Sequence, residues 1–384
     1  MKNKVALITF ARFPSEMAYG VHLVQIANSF RENNYGVNIY YPRTYNSKTI
    51  YTNPKDYYRV TNDIEFIEVN NIDITSFRIY DLMPNLIKKT LYSINTFIWA
   101  KRVSKNLNEE TYLWSTNPNL VLSLKKFFKT CFYEKHGEAK FIQKFSLSRL
   151  KKDKNVVLVG ITKKSVDDMA NGVNKPIYLP LGVNNKIFFP SNTSNNNLTI
   201  GYVGLLETHG IDKGVLDACK EIVKINTISP TKTVIVGGPV SKLNEIKSFV
   251  DDNNQGDNFE ILDFIPHEMV PSIVSSFDIG IVPYPNDKHF NLYASPMKIF
   301  ELAACGIPVL ASNIQGHLEL EELNLGIVYF QHDNLDDFKN ELEKLIKDKN
   351  LRKYLRNKSL ENIDKLSFVN RTKAMLASAC GSTG

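Results

Sequence analysis

Cysteine is scarce. The four among 384 residues (Cys131, Cys219, Cys305 and Cys380) are scattered, with no C-x-x-C pair and no histidine at zinc spacing. That argues against a disulfide framework or a structural zinc and favours a reducing compartment. No stretch approaches the roughly 18 to 20 uninterrupted apolar residues of a membrane span, and the apolar run in Met1–Phe10 is too short for a signal-peptide core. A soluble, cytoplasmic chain is expected. An Asp-x-Asp motif is absent as well, so no divalent metal is expected at the reaction centre. No repeat with a period of 20 to 50 residues is visible. Hydrophobic residues at 43% and charged residues at 23% exclude a disordered, collagen-like or fibrous chain.

The net charge of +7 is unevenly distributed: residues 1–190 hold 28 Lys and Arg against 15 Asp and Glu, whereas residues 191–384 hold 19 against 25. A basic half suits nucleic acid, an anionic membrane or an acidic substrate, and charge alone does not choose among them.

At roughly 150 residues per domain the length favours two domains. Val5–Phe10 reads as a strand, followed by a loop with Pro14 and Gly20, a helical pattern through Phe30 and a strand at Val37–Tyr41, which makes a βαβ unit. Further strands are expected at Ile64–Val69, Thr111–Trp114, Thr130–Glu134 and Val156–Ile161, with helices around 84–107, 117–129 and 163–171. A second βαβ series begins at Leu198, with strands at Lys232–Val236, Phe259–Leu262, Ile279–Val282, Pro308–Ala311 and Gly326–Tyr329. The fold class is α/β, two Rossmann-like parallel domains facing each other across a cleft where ligands bind. The expected bounds are 1–180 for the first domain, 181–197 for a linker rich in Pro, Gly and Asn, and 198–365 for the second domain. Residues 366–384 are expected to form a helix crossing back to the first domain, with a flexible small-residue tail.

The richest segment is Tyr293–Ser312. Ser295 is placed to cap a helix with Pro296 at its first position, leaving first-turn amides free for an anion. Lys298 adds a positive charge in that turn, and Glu301 follows at i+3 on the same side. An ordinary capped helix before a buried strand would read the same way. Glu301, however, is followed only by apolar and small residues and needs a partner.

Ser295-Pro296-Met297-Lys298-Ile299-Phe300-Glu301, Gly201–Gly204 with Asp212-Lys213-Gly214, Phe277–Tyr284 and Leu181–Asn184 together resemble the retaining GT-B glycosyltransferases of family four, the glycosyl transferases group 1. The resemblance implies that the 295–298 segment gives backbone amides to the diphosphate of a nucleotide sugar. It implies further that Glu301 holds the ribose, that Lys213 neutralises the leaving pyrophosphate, and that backbone near Ile265 meets the base. Gly204 and Gly20 correspond to glycines that let backbone approach the ligand. His136, in Tyr133-Glu134-Lys135-His136-Gly137, corresponds to the histidine facing the donor sugar. It is expected to orient the sugar, in a reaction that retains configuration without metal.

Two positions depart from the family pattern. Tyr293 stands where many members have glutamate, and Leu205 where many have arginine. Lys298 is placed to restore the lost positive charge, and Tyr293 to stack on or hydrogen-bond a sugar. The other candidate surface is the basic, aromatic run Lys125-Lys126-Phe127-Phe128-Lys129, with residues 88–102 and 140–154 beside it. It suits an anionic membrane or a lipid-linked acceptor, while a solvated basic face reads identically. Nucleic acid is not expected, because no recognition motif accompanies the charge. The expected function is therefore a cytoplasmic, peripheral transferase building a surface glycan or glycolipid. The alternatives are a transferase acting on a small soluble acceptor and a silent nucleotide- or partner-binding subunit.

Overall fold

The structure, a computed structural model, describes residues 3–108, 110–191, 197–208 and 210–381. The chain divides into two compact units, residues 1–180 with 368–384, and residues 181–367.

In the first unit seven strands pair in parallel: β1 (Lys4–Ile8), β2 (Gly36–Pro42), β3 (Glu65–Val69), β4 (Tyr112–Ser115), β5 (Thr130–Lys135), β6 (Val156–Gly160) and β7 (Ile177–Tyr178). Their order across the sheet is β3-β2-β1-β4-β5-β6-β7. Val5 and Leu7 enter one hydrophobic core and Ala6 and Ile8 the other, so β1 is buried on both faces. That is why the strand reads as a continuous apolar run rather than an alternating one. The helix Phe368–Gly381 belongs to this unit: Met375 sits in the same core as Phe30, and the Ser29 and Thr372 hydroxyls hydrogen-bond at 2.6 Å.

In the second unit six strands pair in parallel: β8 (Thr199–Leu205), β11 (Lys232–Gly238), β12 (Phe259–Leu262), β13 (Ile279–Val282), β14 (Val309–Ser312) and β15 (Ile327–Phe330). Their order is β12-β11-β8-β13-β14-β15, and a short antiparallel hairpin, β9 (Glu207–Thr208) and β10 (Ile211–Asp212), follows β8. The strand order reverses between β8 and β13, a crevice position where such sheets bind ligands at their carboxyl ends.

Several local expectations change. The stretch expected as a helix over 117–129 is helical only at Pro118–Leu124 and tightens into a 3-10 turn at Lys125–Phe127. Residues 140–154, read as cations interleaved with apolar residues and given no secondary structure, contain the helix Ile142–Leu150. Residues 181–191 of the expected linker group with the second unit, while 192–196 lie outside the described residues. Residues 377–381 of the expected flexible tail continue the last helix, and 382–384 lie outside the described residues. Among the described residues no helix is long and apolar enough to cross a membrane.

Candidate active site

The second unit gathers its candidates at the end of β8. Gly204 has φ 152° and pairs with Gly237 of β11, whose φ is 155°. A Cβ on Gly237 would stand 1.8 Å from the Gly204 carbonyl oxygen, so the two strand ends approach as only glycine permits. The β9–β10 hairpin then leads into Lys213, whose amide donates to the Leu206 carbonyl at 2.9 Å. Gly214 caps the helix Val215–Asn226 in the left-handed region at φ 74°, its amide donating to Asp212 Oδ1 at 2.8 Å.

This turn buries the Lys213 side chain to 8% exposure, with Nζ 5.0 Å from the centroid of the Tyr284 ring. Tyr284 follows β13 and is held from below: the Ser312 hydroxyl donates to its carbonyl at 2.6 Å, and the ring of buried His317 lies 5.4 Å away. Burial pushes the His317 pKa down to about 4, so this histidine is a neutral packing group. Lys298 approaches from the helix Met297–Ala304. A Cβ on Gly204 would lie 3.3 Å from its Cε, and its Nζ donates to Glu301 Oε2 at 2.8 Å. Burial first, and the neighbouring Lys298 charge second, push the Lys213 pKa down to about 8. Lys298 is paired with the buried Glu301, whereas the charge that acts on Lys213 is the like charge of Lys298, so an added anion would relieve this site.

The other predicted donor-site residues are placed less uniformly. Ser295 is not the helix cap. Its hydroxyl accepts the Leu181 amide at 3.0 Å, and Pro296 occupies the cap position without a side-chain hydrogen bond. Tyr293 is buried, so its ring is not presented to a ligand in this conformation. Met297 and Ile265 are half-buried, and Leu205 is exposed. Ile265 follows Phe264, whose ring lies against Gly238 at the end of β11.

The first unit holds His136, just beyond β5. Its Nε2 lies 2.7 Å from Oε1 of Glu134, and the Nε2 of buried His22 lies 3.0 Å from the same oxygen. Arg371 of the last helix forms an ion pair with Glu134, its Nη2 2.9 Å from Oε2, and Trp114 Nε1 donates to the same oxygen at 3.4 Å. His22, Glu134 and His136 each offer one donor atom within 4.8 Å of the others, a grouping that could hold a metal ion. Arg371 already compensates the carboxylate there, so a dication would meet a like charge. Gly20 has a packing reason: a Cβ would stand 2.1 Å from the Tyr58 hydroxyl, which bonds both the amide and the carbonyl of Ser15.

The basic run is only partly a surface. Phe128 is buried in the first unit's core, and Lys125 pairs with Asp153, leaving Lys126, Phe127 and Lys129 exposed. The larger apolar surface lies elsewhere. Phe77, Ile79, Leu82, Leu86, Ile87, Ile94 and Ile98 are all exposed. The sequence reading took in residues 88–102 of it but not Phe77–Ile87, and the helix Asn85–Val103 also buries a stripe through Asn95, Trp99 and Val103. It missed Glu134 and Arg371 too. The only local signal was Glu134 at i−2 from His136, on the same side of an extended segment.

Residues 183–361 match the family model described as Glycosyl transferases group 1. No curated protein matches the chain. Among solved structures, sucrose-phosphate synthase from Thermosynechococcus elongatus aligns with TM-score 0.69 at 14% identity, covering 100% of both chains. A glycosyltransferase from Rickettsia africae ESF-5 aligns with TM-score 0.71 at 15% identity over 100% of this chain and 99% of that one. Anabaena HepE in complex with UDP and glucose aligns with TM-score 0.66 at 13% identity over 98% and 99%. At these identities the structural likeness establishes the fold, and the family model covers the segment that carries Gly204, Lys213, Lys298 and Glu301. Residues 183–361 thus match the glycosyl transferases group 1 model, and the chain as a whole has the GT-B fold.

Proposed function

We propose that the protein is a retaining, metal-independent glycosyltransferase that moves a sugar from a nucleotide-diphosphate donor to a glycan or lipid-linked acceptor. The observation that carries this reading is the convergence of Lys213, Lys298 and Glu301 beside the Gly204–Gly237 strand ends. When the glycosidic bond breaks, charge accumulates on the departing diphosphate, and preorganised cations in a desolvated site lower that barrier. Lys213 supplies such a charge from a buried position, and Lys298 supplies a second. In this role they replace a divalent ion, with no step assigned to metal. Glu301 exchanges its bond to Lys298 for the ribose hydroxyls, which frees Lys298 for phosphate. His136 orients the reacting sugar, and the phosphate helps deprotonate the acceptor on the same face. Those last assignments rest on the family resemblance.

The acceptor reading is supported by the exposed apolar residues between Phe77 and Ile98, interspersed with Arg78, Lys88 and Lys89 and followed by Lys101 and Arg102. Apolar side chains flanked by cations suit the headgroup region of an anionic leaflet. We therefore place the protein in the cytoplasm, peripheral to the membrane.

The test is a thermal-shift screen against UDP, GDP, ADP, CMP and their common sugar conjugates, with magnesium and with EDTA. UDP belongs in the panel because HepE is described in complex with it. A selective shift with one nucleoside diphosphate, equal in EDTA, is the expected result. A shift that requires magnesium would refute metal independence, and no shift at all would favour a silent subunit.

A further inference from the structure

The Glu134 cluster is more elaborate than packing requires. Glu134 has no solvent exposure, and burial by itself raises a carboxylate's pKa. Arg371 at 2.9 Å and the hydrogen bonds from His136 and His22 nevertheless hold it well below the usual carboxylate range. An ionised carboxylate only accepts hydrogen bonds. The Nε2 atoms of His136 and His22, both facing Oε1, therefore carry protons, and in the neutral His136 ring the lone pair resides on Nδ1.

Arg371 is anchored as a fork. Its Nε donates to the Pro180 carbonyl at 2.6 Å and its Nη2 to the Leu179 carbonyl at 3.1 Å, which holds the guanidinium in its ion pair with Glu134. The last helix thus delivers the charge that keeps Glu134 ionised. His22 contributes no charge, because burial pushes its pKa down to about 4. Its Nδ1 and Arg371 Nη1 have no hydrogen-bond partner among the described residues. Two unpaired buried polar atoms cost stability, and an apolar filling of the same space would avoid that cost. His136, in contrast, keeps its side chain 30% exposed.

We propose that Glu134 and Arg371 are positioning residues for His136. Glu134 fixes the imidazole as the Nε2–H tautomer and sets its ring orientation, and Arg371 keeps Glu134 charged so that it does. The C-terminal helix is then part of the reaction centre rather than only a clasp on the first unit. This inference rests on the assignment of His136 to the reacting sugar.

The test joins a spectroscopic readout to a kinetic one on the full chain. In protein labelled with 15N-histidine, His136 is expected to show a single Nε2–H tautomer, its signal identified by its loss in His136→Ala. In Glu134→Gln, checked for folding by its melting curve, the fixed tautomer is expected to be lost. With UDP-glucose, GDP-mannose or ADP-glucose, whichever the nucleotide screen selects, kcat should fall about 100-fold, the scale of a misplaced reacting group. The donor KM should stay within about threefold, because the nucleotide is held by other residues. Arg371→Lys should move both readouts in the same direction, since an ammonium cannot reproduce the fork. Glu134→Asp, which keeps the charge, should recover part of kcat and covers the case in which Glu134→Gln fails to fold. An Nδ1–H or mixed tautomer in the wild-type protein would overturn the proposal. So would a folded Glu134→Gln variant with wild-type kcat, provided that His136→Ala is inactive. If His136→Ala itself keeps wild-type kcat, the assignment of His136 falls and this inference falls with it.

Discussion

Lys213 is expected to cost the ligand-free protein stability, and Lys213→Met makes that measurable. The side chain is 8% exposed, and its pKa falls from 10.5 to about 8. Carrying the charge at pH 7 therefore costs on the order of 3 kcal/mol relative to the unfolded chain. Methionine keeps most of the stem and removes the charge, but it gives up the contact with the Tyr284 ring, worth about 1 kcal/mol. The net gain should be about 1 to 2 kcal/mol, which raises the melting temperature by roughly 2 to 4 °C per kcal/mol in a unit of this size. The sign with pH follows from a folded pKa below the unfolded one. The cost is full below pH 8, shrinks between pH 8 and 10.5, and is gone above. The gap between variant and wild type should therefore narrow as the buffer is taken from pH 7 to pH 10. Donor turnover should meanwhile fall by about two to three orders of magnitude, as when a preorganised electrostatic group is removed. In the wild type, kcat/KM should decline through an alkaline limb near pH 8. A folded Lys213→Met protein that melts at or below the wild-type temperature at pH 7, or a gap that does not change with pH, would refute the reasoning.

Glu301→Gln should raise the dissociation constant of the selected nucleoside diphosphate about tenfold, measured by calorimetry, because a charged acceptor for the ribose is lost; unchanged affinity would remove that role. Gly237→Ala should lower the melting temperature markedly and weaken nucleotide binding, since its Cβ would stand 1.8 Å from the Gly204 carbonyl at a φ of 155°. A fully stable alanine variant would mean that the strand ends separate easily. Serine at Leu86, Ile87, Ile94 and Ile98 should reduce binding to vesicles of anionic phospholipid at least as much as neutralising Lys126 and Lys129, and sedimentation with vesicles at low and high salt would show it. Equal binding by the serine variant would leave that face to a protein partner or to solvent.

Much of the fold was determined locally. Strands of a parallel sheet are buried on both faces, so Val5–Ile8, Val156–Gly160 and Ile279–Val282 announce themselves as short apolar runs bounded by turn residues. Lys213 and Glu301 were singled out within contiguous segments, Lys213 by the family resemblance of Asp212-Lys213-Gly214 and Glu301 by its spacing from Lys298 and its apolar neighbours. The tertiary structure decided whatever depends on contacts between distant segments. Ser295 lost its capping role because the Leu181 amide reaches its hydroxyl first. Phe128 left the proposed surface because the 3-10 turn rotates it into the core, and Lys125 was taken by Asp153. Arg371 reaches Glu134 only because the last helix packs back on the first unit, and no pattern within either segment records that meeting. The depressed pKa of Lys213 has the same origin, since burial and a neighbouring charge are properties of the folded environment and not of the residue.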